Sequence, residues 1–236
     1  MDREIKENAI VLKADDLGDY DRTLTMLSIN RGLIKAKIKG VKKPKAKLSY
    51  ASFPFAFGEY IFVKTGNSFN TVINCNFIDN FIDLTYDLNK FYAGSAMLEV
   101  TRLIAKENQA CTGLFVSLLK VLQNLTYTNK NIIALLTKYV LDCLEFAGLT
   151  VNIDVNLNIE KQSYFNYDFG LVTNDRSEES ILLNESDVNS LALLLSGDET
   201  IIDESVKTSK NLLKLITNYF ETKIDERFEI LDKFCK

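Results

Sequence analysis

Histidine is absent from the 236-residue sequence, and its absence excludes several kinds of enzyme active site. A Ser-His-Asp triad, a Cys-His pair, a histidine general base and an HExxH zinc site all depend on the imidazole ring. The GxxxxGKS/T loop that cradles nucleotide phosphates is also missing. Carboxylates and lysines remain as catalytic groups, but no paired motif indicates such a site. We therefore expect a protein that binds partners and is not an enzyme.

Cysteines and long apolar runs are scarce as well. The four cysteines, Cys75, Cys111, Cys143 and Cys235, lie far apart, so neither a CxxC pair nor a disulfide framework is predicted. Reduced and mostly buried thiols are the simplest expectation. No apolar run approaches the roughly 18 residues of a membrane-spanning helix, and residues 1–7 are charged where a secretory signal is apolar. We expect a soluble cytoplasmic protein with no membrane partner and no cofactor.

Positive charge is concentrated in one short segment. The whole chain has a formal net charge of −4, which on its own argues against a polyanionic partner. Residues 31–47 nevertheless carry eight basic side chains and no acidic one, which leaves −12 on the rest of the chain. We call residues 31–47 the lysine-rich segment. Such segregation of charge is the electrostatic footprint of a protein that binds nucleic acid.

The first part of the chain, residues 1–82, has the pattern of an all-β domain. Short apolar or alternating stretches predict strands at residues 9–12, 24–29, 33–39, 53–63 and 71–78. Glycine-containing turns are expected at residues 30–32 and 65–67. Five short strands in a domain of this size predict a small barrel, and the five-stranded OB-fold is the natural candidate.

Beyond residue 82 the apolar period changes from 2 to 3.6, which predicts helices over residues 83–148 and about 183–234. Three apolar stripes carry this prediction: Leu84, Leu88, Phe91 and Leu98; Ile132, Leu135, Leu136, Tyr139, Cys143 and Phe146; and Leu212, Leu215, Ile216, Tyr219 and Phe220. Gly148 is placed to end the helix that carries the second stripe. The two helical regions are expected to pack together.

Residues 150–176 interrupt the helical pattern. Apolar and polar residues alternate over residues 151–159, which predicts a strand, and residues 164–172 have the pattern of a hairpin. The predicted fold is therefore α+β. An OB-fold domain at residues 1–82 is followed by a helical domain at residues 83–236, which carries a small β insert at about residues 150–176.

The strand predicted at residues 33–39 separates its charged and apolar side chains. Successive side chains of a strand point to opposite faces, so Lys35, Lys37 and Lys39 share one face while Ile34, Ala36 and Ile38 share the other. Glycine and proline then predict a loop that adds Lys42, Lys43, Lys45 and Lys47. Lysine also protects edge strands from aggregation, but eight basic residues exceed what that role requires. Contacts from lysine to phosphate give affinity with little sequence specificity.

Aromatic residues follow the lysines directly, at Tyr50, Phe53, Phe55, Phe57, Tyr60 and Phe62. Exposed aromatic rings on OB-folds stack on the bases of single strands. The alternation of Phe53, Phe55 and Phe57 instead indicates a buried strand face, so Tyr50 is the stacking candidate. The residues that we predict to bind DNA are Arg31, Lys35, Lys37, Lys39, Lys42, Lys43, Lys45, Lys47 and Tyr50.

The order and spacing of several motifs resemble the bacterial RecO family over essentially the whole chain. The motifs are residues 9–12, Gly18-Asp19-Tyr20-Asp21-Arg22, Arg31-Gly32, Lys39-Gly40-Val41-Lys42-Lys43-Pro44-Lys45-Ala46, Glu99 with Tyr92 and Leu98, and Tyr219-Phe220. Ala46 stands where the family often has serine, so that hydroxyl group is absent. Many RecO proteins also carry a four-cysteine zinc ribbon in the insert. The aligned positions here, Asn156, Ile159, Thr173 and Arg176, supply no thiolate.

The resemblance implies a role in DNA repair by recombination in the bacterial cytoplasm, in association with the nucleoid. RecO-like proteins bind single- and double-stranded DNA and anneal complementary strands. They pair with RecR, contact the acidic C-terminal tail of single-stranded DNA-binding protein, and help RecA to replace that protein. By this resemblance the insert is a ribbon-like hairpin without metal.

Two other functions fit parts of the same sequence. An RNA-binding OB-fold adaptor would use the lysine-rich segment equally well, because both nucleic acids carry phosphate. A carboxylate enzyme could use Asp15, Asp16, Asp19 and Asp21 for metal-dependent hydrolysis, although solvated turn residues are the simpler interpretation of these acids. Competition between DNA and RNA for the purified protein distinguishes the RNA-binding adaptor from the DNA repair protein. A test for magnesium-dependent cleavage distinguishes the carboxylate enzyme from it.

Overall fold

A computed structural model of the chain describes residues 4–64, 70–158, 160–197 and 208–235. The chain divides into two compact units. The first, which we call the barrel unit, comprises Met1–Asp83 and Thr101–Leu119. The second, which we call the helical unit, comprises Leu84–Val100 and Lys120–Lys236.

The barrel unit contains a closed five-stranded barrel, which confirms the predicted OB-fold architecture. Its strands are β1 (Glu4–Leu17), β2 (Asp21–Ser28), β3 (Gly32–Ile38), β4 (Phe57–Lys64) and β5 (Asn70–Asp79). They are hydrogen-bonded in the order β1-β2-β3-β5-β4, and β4 closes the barrel on β1. All pairs are antiparallel except β3 with β5.

The barrel core is filled by alternate side chains of all five strands. Its members include Val11, Met26, Ile38, Phe62 and Val72. Full burial of a large apolar side chain stabilises a fold by about 1.5–3 kcal/mol, so this cluster holds the barrel together.

Two polar side chains also lie in the barrel core. The buried hydroxyl of Tyr60 donates a hydrogen bond to the carbonyl of Ala51 at 2.9 Å, and burial raises the pKa of Tyr60. Burial likewise raises the pKa of the Cys75 thiol to about 11, so this thiol stays protonated at neutral pH.

The fourth strand starts later than the sequence pattern indicates. Ser49–Ser52 form a 3-10 helix, and β4 begins only at Phe57. Proline is disfavoured in the interior of a strand, and Phe55, which follows Pro54, has a positive φ of 73°. The predicted buried face of Phe53, Phe55 and Phe57 is therefore wrong: Phe55 is buried, Phe57 is half-buried, and Phe53 is exposed.

The turn between β2 and β3 confirms the prediction at residues 30–32 and requires a glycine. Gly32 has a φ of 64°, and a Cβ atom there would lie 2.1 Å from the carbonyl oxygen of Gln109. The backbone N–H of Leu33 donates to the carbonyl of Lys106 at 3.0 Å, so the chain around residues 106–109 packs directly on this turn. The turn predicted at residues 65–67 lies outside the described residues.

Six α-helices and a second 3-10 helix are described beyond the barrel. They are the 3-10 helix Ile82–Tyr86, α1 (Leu88–Ile104), α2 (Thr112–Tyr127), α3 (Ile132–Phe146), α4 (Glu185–Leu195), α5 (Lys210–Ile224) and α6 (Glu229–Cys235). The α5 stripe is buried as predicted, and so is the centre of the α3 stripe. Gly148, with a φ of 79°, donates to the carbonyl of Glu145 just beyond α3, as predicted.

The predicted apolar stripe of α1 is correct at Leu84 and Leu98, which are buried, and wrong at Leu88 and Phe91. Leu84 lies in the 3-10 helix before α1, Leu88 is 67% exposed, and Phe91 is also exposed. The buried face of α1 consists mainly of smaller side chains at helical spacing: Ala93, Ala96, Met97 and Val100. Alanine-rich stripes give a weak periodicity signal, whereas large apolar residues at helical spacing predict a buried face even where these residues are exposed.

Glu99 on α1 anchors the last helix of the helical unit. Its nearly buried carboxylate accepts hydrogen bonds from the backbone N–H groups of Glu229, Ile230 and Leu231 at 2.9, 2.9 and 3.3 Å. These groups have no partner within α6, and a negative charge at a helix N-terminus is favourable. Glu99 therefore has a structural role.

The insert is a four-stranded sheet that extends beyond the predicted range. Its strands are β6 (Asn152–Ile153), β7 (Ser163–Asn166), β8 (Leu171–Thr173) and β9 (Ser180–Leu183), in the order β6-β8-β7-β9. The predicted hairpin is confirmed by the antiparallel pair β7–β8. The long strand predicted at residues 151–159 is wrong, because over the described residues 151–158 only β6 forms and Val155 is 97% exposed.

Candidate nucleic-acid interface

Strand β3 separates its side chains as the sequence predicts. Ile34, Ala36 and Ile38 are buried in the barrel, whereas Lys35 is exposed and Lys37 is half-buried on the outer face. Lys39, which directly follows the strand, is exposed. The apolar face fixes the register of β3, so the lysines have no alternative but the outer surface.

Acidic side chains from elsewhere in the barrel unit pair with half of the basic residues in the lysine-rich segment. Lys35 pairs with Glu107 at 3.1 Å, Lys37 with Asp21 at 3.2 Å, and Lys42 with Asp16 at 2.7 Å. Arg31 pairs with Glu7 at 2.8 Å. The segment is free of acids in sequence, but folding brings carboxylates to these four side chains.

Arg31 belongs to the structure of the β2–β3 turn. The carboxylate of Glu7 is buried, and it also accepts hydrogen bonds from Ser28 Oγ at 2.8 Å and Asn30 Nδ2 at 3.1 Å. A buried charge needs such a set of donors. Because Arg31 is one of these donors, it helps to hold the turn.

The remaining lysines, Lys39, Lys43, Lys45 and Lys47, are exposed. None of them forms an ion pair with any described residue. All four lie on the loop after β3, where the N–H of Lys43 donates to Gly40 and the N–H of Ala46 donates to Lys43. These four ammonium groups are the charges in the segment that are most available to phosphates.

Asp16 and Asp21 organise this loop. Asp16 contacts Arg22 Nε at 3.2 Å and Lys42 Nζ at 2.7 Å, and these hydrogen bonds, that of Lys42 first, lower the pKa of the Asp16 carboxyl. Asp21 accepts the backbone N–H of Gly40 at 2.8 Å, and this bond and Lys37 lower its pKa.

The interpretation of the aspartates as turn residues is correct only for Asp19. Asp15 and Asp16 lie on β1, and Asp21 begins β2. Among the described residues, no three histidine, cysteine, aspartate or glutamate side chains come together as a metal site.

Two exposed aromatic rings that the sequence interpretation did not select lie beside these charges. The guanidinium of Arg22 lies 4.4 Å from the ring centroid of Phe53, and Lys43 Nζ lies 5.2 Å from that of Tyr20. The position of Arg22 could have been predicted from the sequence, because the register of the β2–β3 hairpin places Arg22 opposite Ile38. No local signal places Phe53, because its position depends on the tertiary contact with Arg22.

Tyr50, the predicted stacking residue, is 39% exposed and lies against a second ring. Its hydroxyl donates to the carbonyl of Cys75 at 3.4 Å. Phe77 packs edge-to-face on it, with ring centroids 5.1 Å apart and an interplanar angle of 77°. Phe77, which sequence reasoning missed, is also exposed.

The helical unit contains an open cleft of about 800 Å³. It is lined by Leu88, Asn89, Tyr92, Lys130, Asn131, Ile132, Ile133, Lys210 and Phe234. The first turns of α1, α3 and α5 all contribute to this lining, and helix N-termini carry partial positive charge. Apolar walls together with two lysines and three helix starts suit an acidic ligand that has an apolar group.

The insert does not fit a zinc ion. Of the positions that align with zinc-ribbon cysteines, Asn156, Thr173 and Arg176 are not metal ligands of this type, and Ile159 lies outside the described residues. The side chain of Asn174, in the loop after β8, instead joins that loop to the loop between β6 and β7. It accepts from the N–H of Asn158 at 2.8 Å and donates to the carbonyls of Asn158 and Gln162, both at 3.0 Å.

None of the described helices is long and apolar enough to cross a membrane.

Comparison with known proteins gives matches along the chain. Residues 1–81 match the family described as "Recombination protein O N terminal", and residues 85–229 match "Recombination protein O C terminal". The DNA repair protein RecO of Acetivibrio thermocellus is 28% identical over 144 residues, which are 61% of this chain and 57% of that protein. That of Pelotomaculum thermopropionicum is 33% identical over 118 residues, 50% of this chain and 46% of that protein. That of Caldanaerobacter subterraneus is 24% identical over 242 residues, 98% of this chain and 97% of that protein.

Proposed function

This chain belongs to the RecO family of DNA repair proteins, and from that premise we propose that it binds single- and double-stranded DNA and anneals complementary strands. The DNA-binding domain is residues 1–82, with the residues predicted from the sequence as its ligands. The observation that carries the proposal is the loop with Lys39, Lys43, Lys45 and Lys47, four exposed lysines without a described acidic partner.

The mechanism is neutralisation of phosphate charge. Two complementary strands repel each other through their phosphates, and lysines that displace condensed counterions lower this repulsion. The bases themselves carry out the recognition, so the protein needs neither ATP nor a metal ion for this step. It therefore acts as a scaffold and not as an enzyme, in the bacterial cytoplasm and at the nucleoid.

The helical domain, residues 83–236 with its metal-free insert, is the part that we assign to protein partners. These are RecR, RecA indirectly, and the acidic C-terminal tail of single-stranded DNA-binding protein. We place the tail in the cleft between the starts of α1, α3 and α5. Lys130 and Lys210 would face its carboxylates there, beside the apolar wall formed by Leu88, Tyr92 and Phe234.

The proposal predicts a steep salt dependence of DNA affinity that is caused by the loop lysines. Changing Lys39, Lys43, Lys45 and Lys47 together to Gln should reduce the slope of log affinity against log salt by about 3 to 4 units, at roughly 0.7–0.9 per phosphate contact. Titration of fluorescent single-stranded DNA at several salt concentrations measures the slope.

A control variant with the same loss of charge separates local contacts from net charge. Lys120, Lys161, Arg176 and Lys214 are exposed outside the lysine-rich segment, and their change to Gln should leave the slope within about one unit of the parent. If the loop variant keeps the parent's slope, the loop lysines are only solvated and the proposal fails.

The tail site is tested separately with a labelled acidic peptide that carries one apolar residue, as the lining of the cleft requires. Changing Leu88, an exposed residue of the cleft, to Glu should weaken binding of the peptide at least about tenfold through charge repulsion. Val155→Glu adds the same charge at a fully exposed position outside the cleft and should have little effect. Equal affinity for the Leu88 variant and the parent excludes the cleft as the tail site.

An RNA-binding adaptor remains the second candidate, because the loop lysines contact a group that DNA and RNA share. Competition between DNA and RNA strands of the same sequence separates the two functions. A clear preference for RNA would support the adaptor over the repair protein.

A further inference from the structure

Two aromatic side chains are exposed beside the loop lysines, and each has a cation near its ring. Tyr20 is 52% exposed and Phe53 is 51% exposed. Lys43 lies over the Tyr20 ring and Arg22 lies over the Phe53 ring. We call Tyr20 and Phe53 the cation-backed rings. Neither belongs to the barrel core cluster, so their exposure is not a by-product of core packing.

Phe53 is held in its exposed position by a set of well-fixed groups. Arg22 Nη1 donates to both the carbonyl and the hydroxyl of Ser52, each at 3.1 Å. Ser52 Oγ in turn donates to the carbonyl of Ser49 at 2.7 Å. The 3-10 helix before Phe53 is therefore fixed, and the ring is displayed without the entropy loss that a mobile side chain would pay on binding.

The two rings and the start of the lysine loop, at Lys42 and Lys43, belong to one surface. The Asp16 carboxylate contacts both Arg22, which backs Phe53, and Lys42. The backbone N–H of Lys42 donates to the carbonyl of Tyr20 at 3.1 Å. Lys43 follows directly and backs the Tyr20 ring. A strand whose phosphates contact the loop thus passes the cation-backed rings.

We propose that Tyr20 and Phe53 stack on unpaired bases and give this surface a preference for single strands. The inference rests on the proposed function, which supplies the phosphate contacts. In a duplex the faces of the bases are covered by their neighbours, whereas in a single strand they are available to aromatic rings. Stacking uses only the face of a base. It leaves the hydrogen-bonding edge free for a complementary strand and is compatible with annealing.

The test compares a single strand with a duplex of the same length at several salt concentrations. The double variant with Tyr20→Leu and Phe53→Leu should bind the single strand at least about 30-fold more weakly, as expected for the loss of two stacked bases. Its duplex affinity should change less than about twofold, and its salt slope should stay that of the parent because no phosphate contact is removed. Phe169→Leu, an exposed ring of the helical unit, is the control and should change neither affinity.

A single strand that lacks its bases provides a second readout. The parent protein should bind this abasic strand as weakly as the double variant binds the normal strand, and the double variant should not discriminate between the two strands. Thermal unfolding of each variant shows whether the fold is intact. A variant that melts early is replaced by the single Phe53→Leu change, with the same expectation for single-strand preference.

The outcomes separate the inference from the function on which it rests. If the double variant binds single strands like the parent while the loop-lysine variant loses both ligands, base stacking is wrong and phosphate binding stands. If the double variant loses single strand and duplex equally, the rings only position the lysines and the inference is overturned. If the loop-lysine variant binds like the parent, the proposed function itself fails.

Discussion

At the scale of single residues, carboxylates determine which lysines are available to DNA. Asp16 forms ion pairs with Lys42 and Arg22, and Asp21 forms an ion pair with Lys37. A phosphate that approaches Lys42 or Lys37 therefore competes with an internal carboxylate. Exposed ion pairs of this kind contribute little to stability, so we expect the phosphates of DNA to displace them at a modest cost.

The competition predicts that removing an acid strengthens DNA binding. Asp16→Asn keeps the shape of the side chain but removes its charge, and we expect DNA affinity at low salt to rise about two- to fivefold. Asp15→Asn removes the same charge from the neighbouring residue, which pairs with Lys13 outside the lysine-rich segment, and should have a smaller effect. Weaker binding by the Asp16 variant would mean that positioning of Arg22 and Lys42 outweighs competition.

The pKa of Asp16 fixes how this competition depends on pH. Its hydrogen bonds to Lys42 and Arg22 lower the pKa of Asp16 below the ordinary value for aspartate. The carboxylate therefore stays charged as pH falls from 8 to about 5, and the competition with DNA persists over this range. Binding titrations should accordingly show the same ratio of Asp16→Asn to parent affinity at both pH values.

The sequence predicts one half of this site and not the other. The outward lysines of β3 follow from alternation, because Ile34, Ala36 and Ile38 must enter the core. The partners of those lysines are determined by tertiary structure: Glu107 lies in the loop after α1 and Asp21 on the neighbouring strand. No local pattern carries that information.

At the scale of secondary-structure elements, the strength of the apolar pattern decided which predictions were correct. Helix α5 has large apolar residues at most of its core positions, and its stripe is confirmed. Helix α1 buries Ala93 and Ala96 and exposes Leu88, so its pattern misled. Alternation predicts that strand β4 begins at Phe53, but Pro54 lies in a turn and the strand begins only at Phe57.

In the insert, hydrogen bonds link the two loops that a zinc ion would join in a zinc ribbon. Asn174 contacts Asn158 and Gln162 across the two loops that zinc joins in a zinc ribbon. We expect purified protein to contain no stoichiometric zinc and its melting temperature to be unchanged by EDTA. Elemental analysis that finds one zinc ion per chain would contradict this account.

The hydrogen bonds of Asn174 also predict the effect of a mutation. Asn174→Ala removes three hydrogen bonds that each contribute about 0.5–1.5 kcal/mol, so the free energy of unfolding should fall by about 1.5–4.5 kcal/mol. Asn156→Ala, at the position aligned with the first cysteine, is the control, since Asn156 is exposed and should tolerate the change. Denaturant titration of both variants checks the difference; equal stability of the two would exclude a bridging role for Asn174.

At the scale of the whole molecule, charge is distributed unevenly. The lysine-rich segment is basic although the remainder of the chain carries −12, so the proposed function predicts that DNA is attracted to this segment and repelled by the acidic remainder. Surface fields of this kind are screened by salt, with a Debye length of about 10 Å at 0.1 M. Any effect of the protein on DNA strands should therefore be strong at low salt and fade above a few tenths molar.

The most direct test of the central claim is the rate at which complementary strands anneal. Strands labelled with a fluorophore and a quencher are mixed at low salt, with EDTA and without ATP, in the presence or absence of the protein. We expect the parent protein to accelerate annealing, the control with four exposed basic residues changed to do the same, and the Lys39, Lys43, Lys45 and Lys47 variant to lose most of the acceleration. Strands that anneal no faster with the parent protein than without it would contradict the claim that this surface brings two strands together.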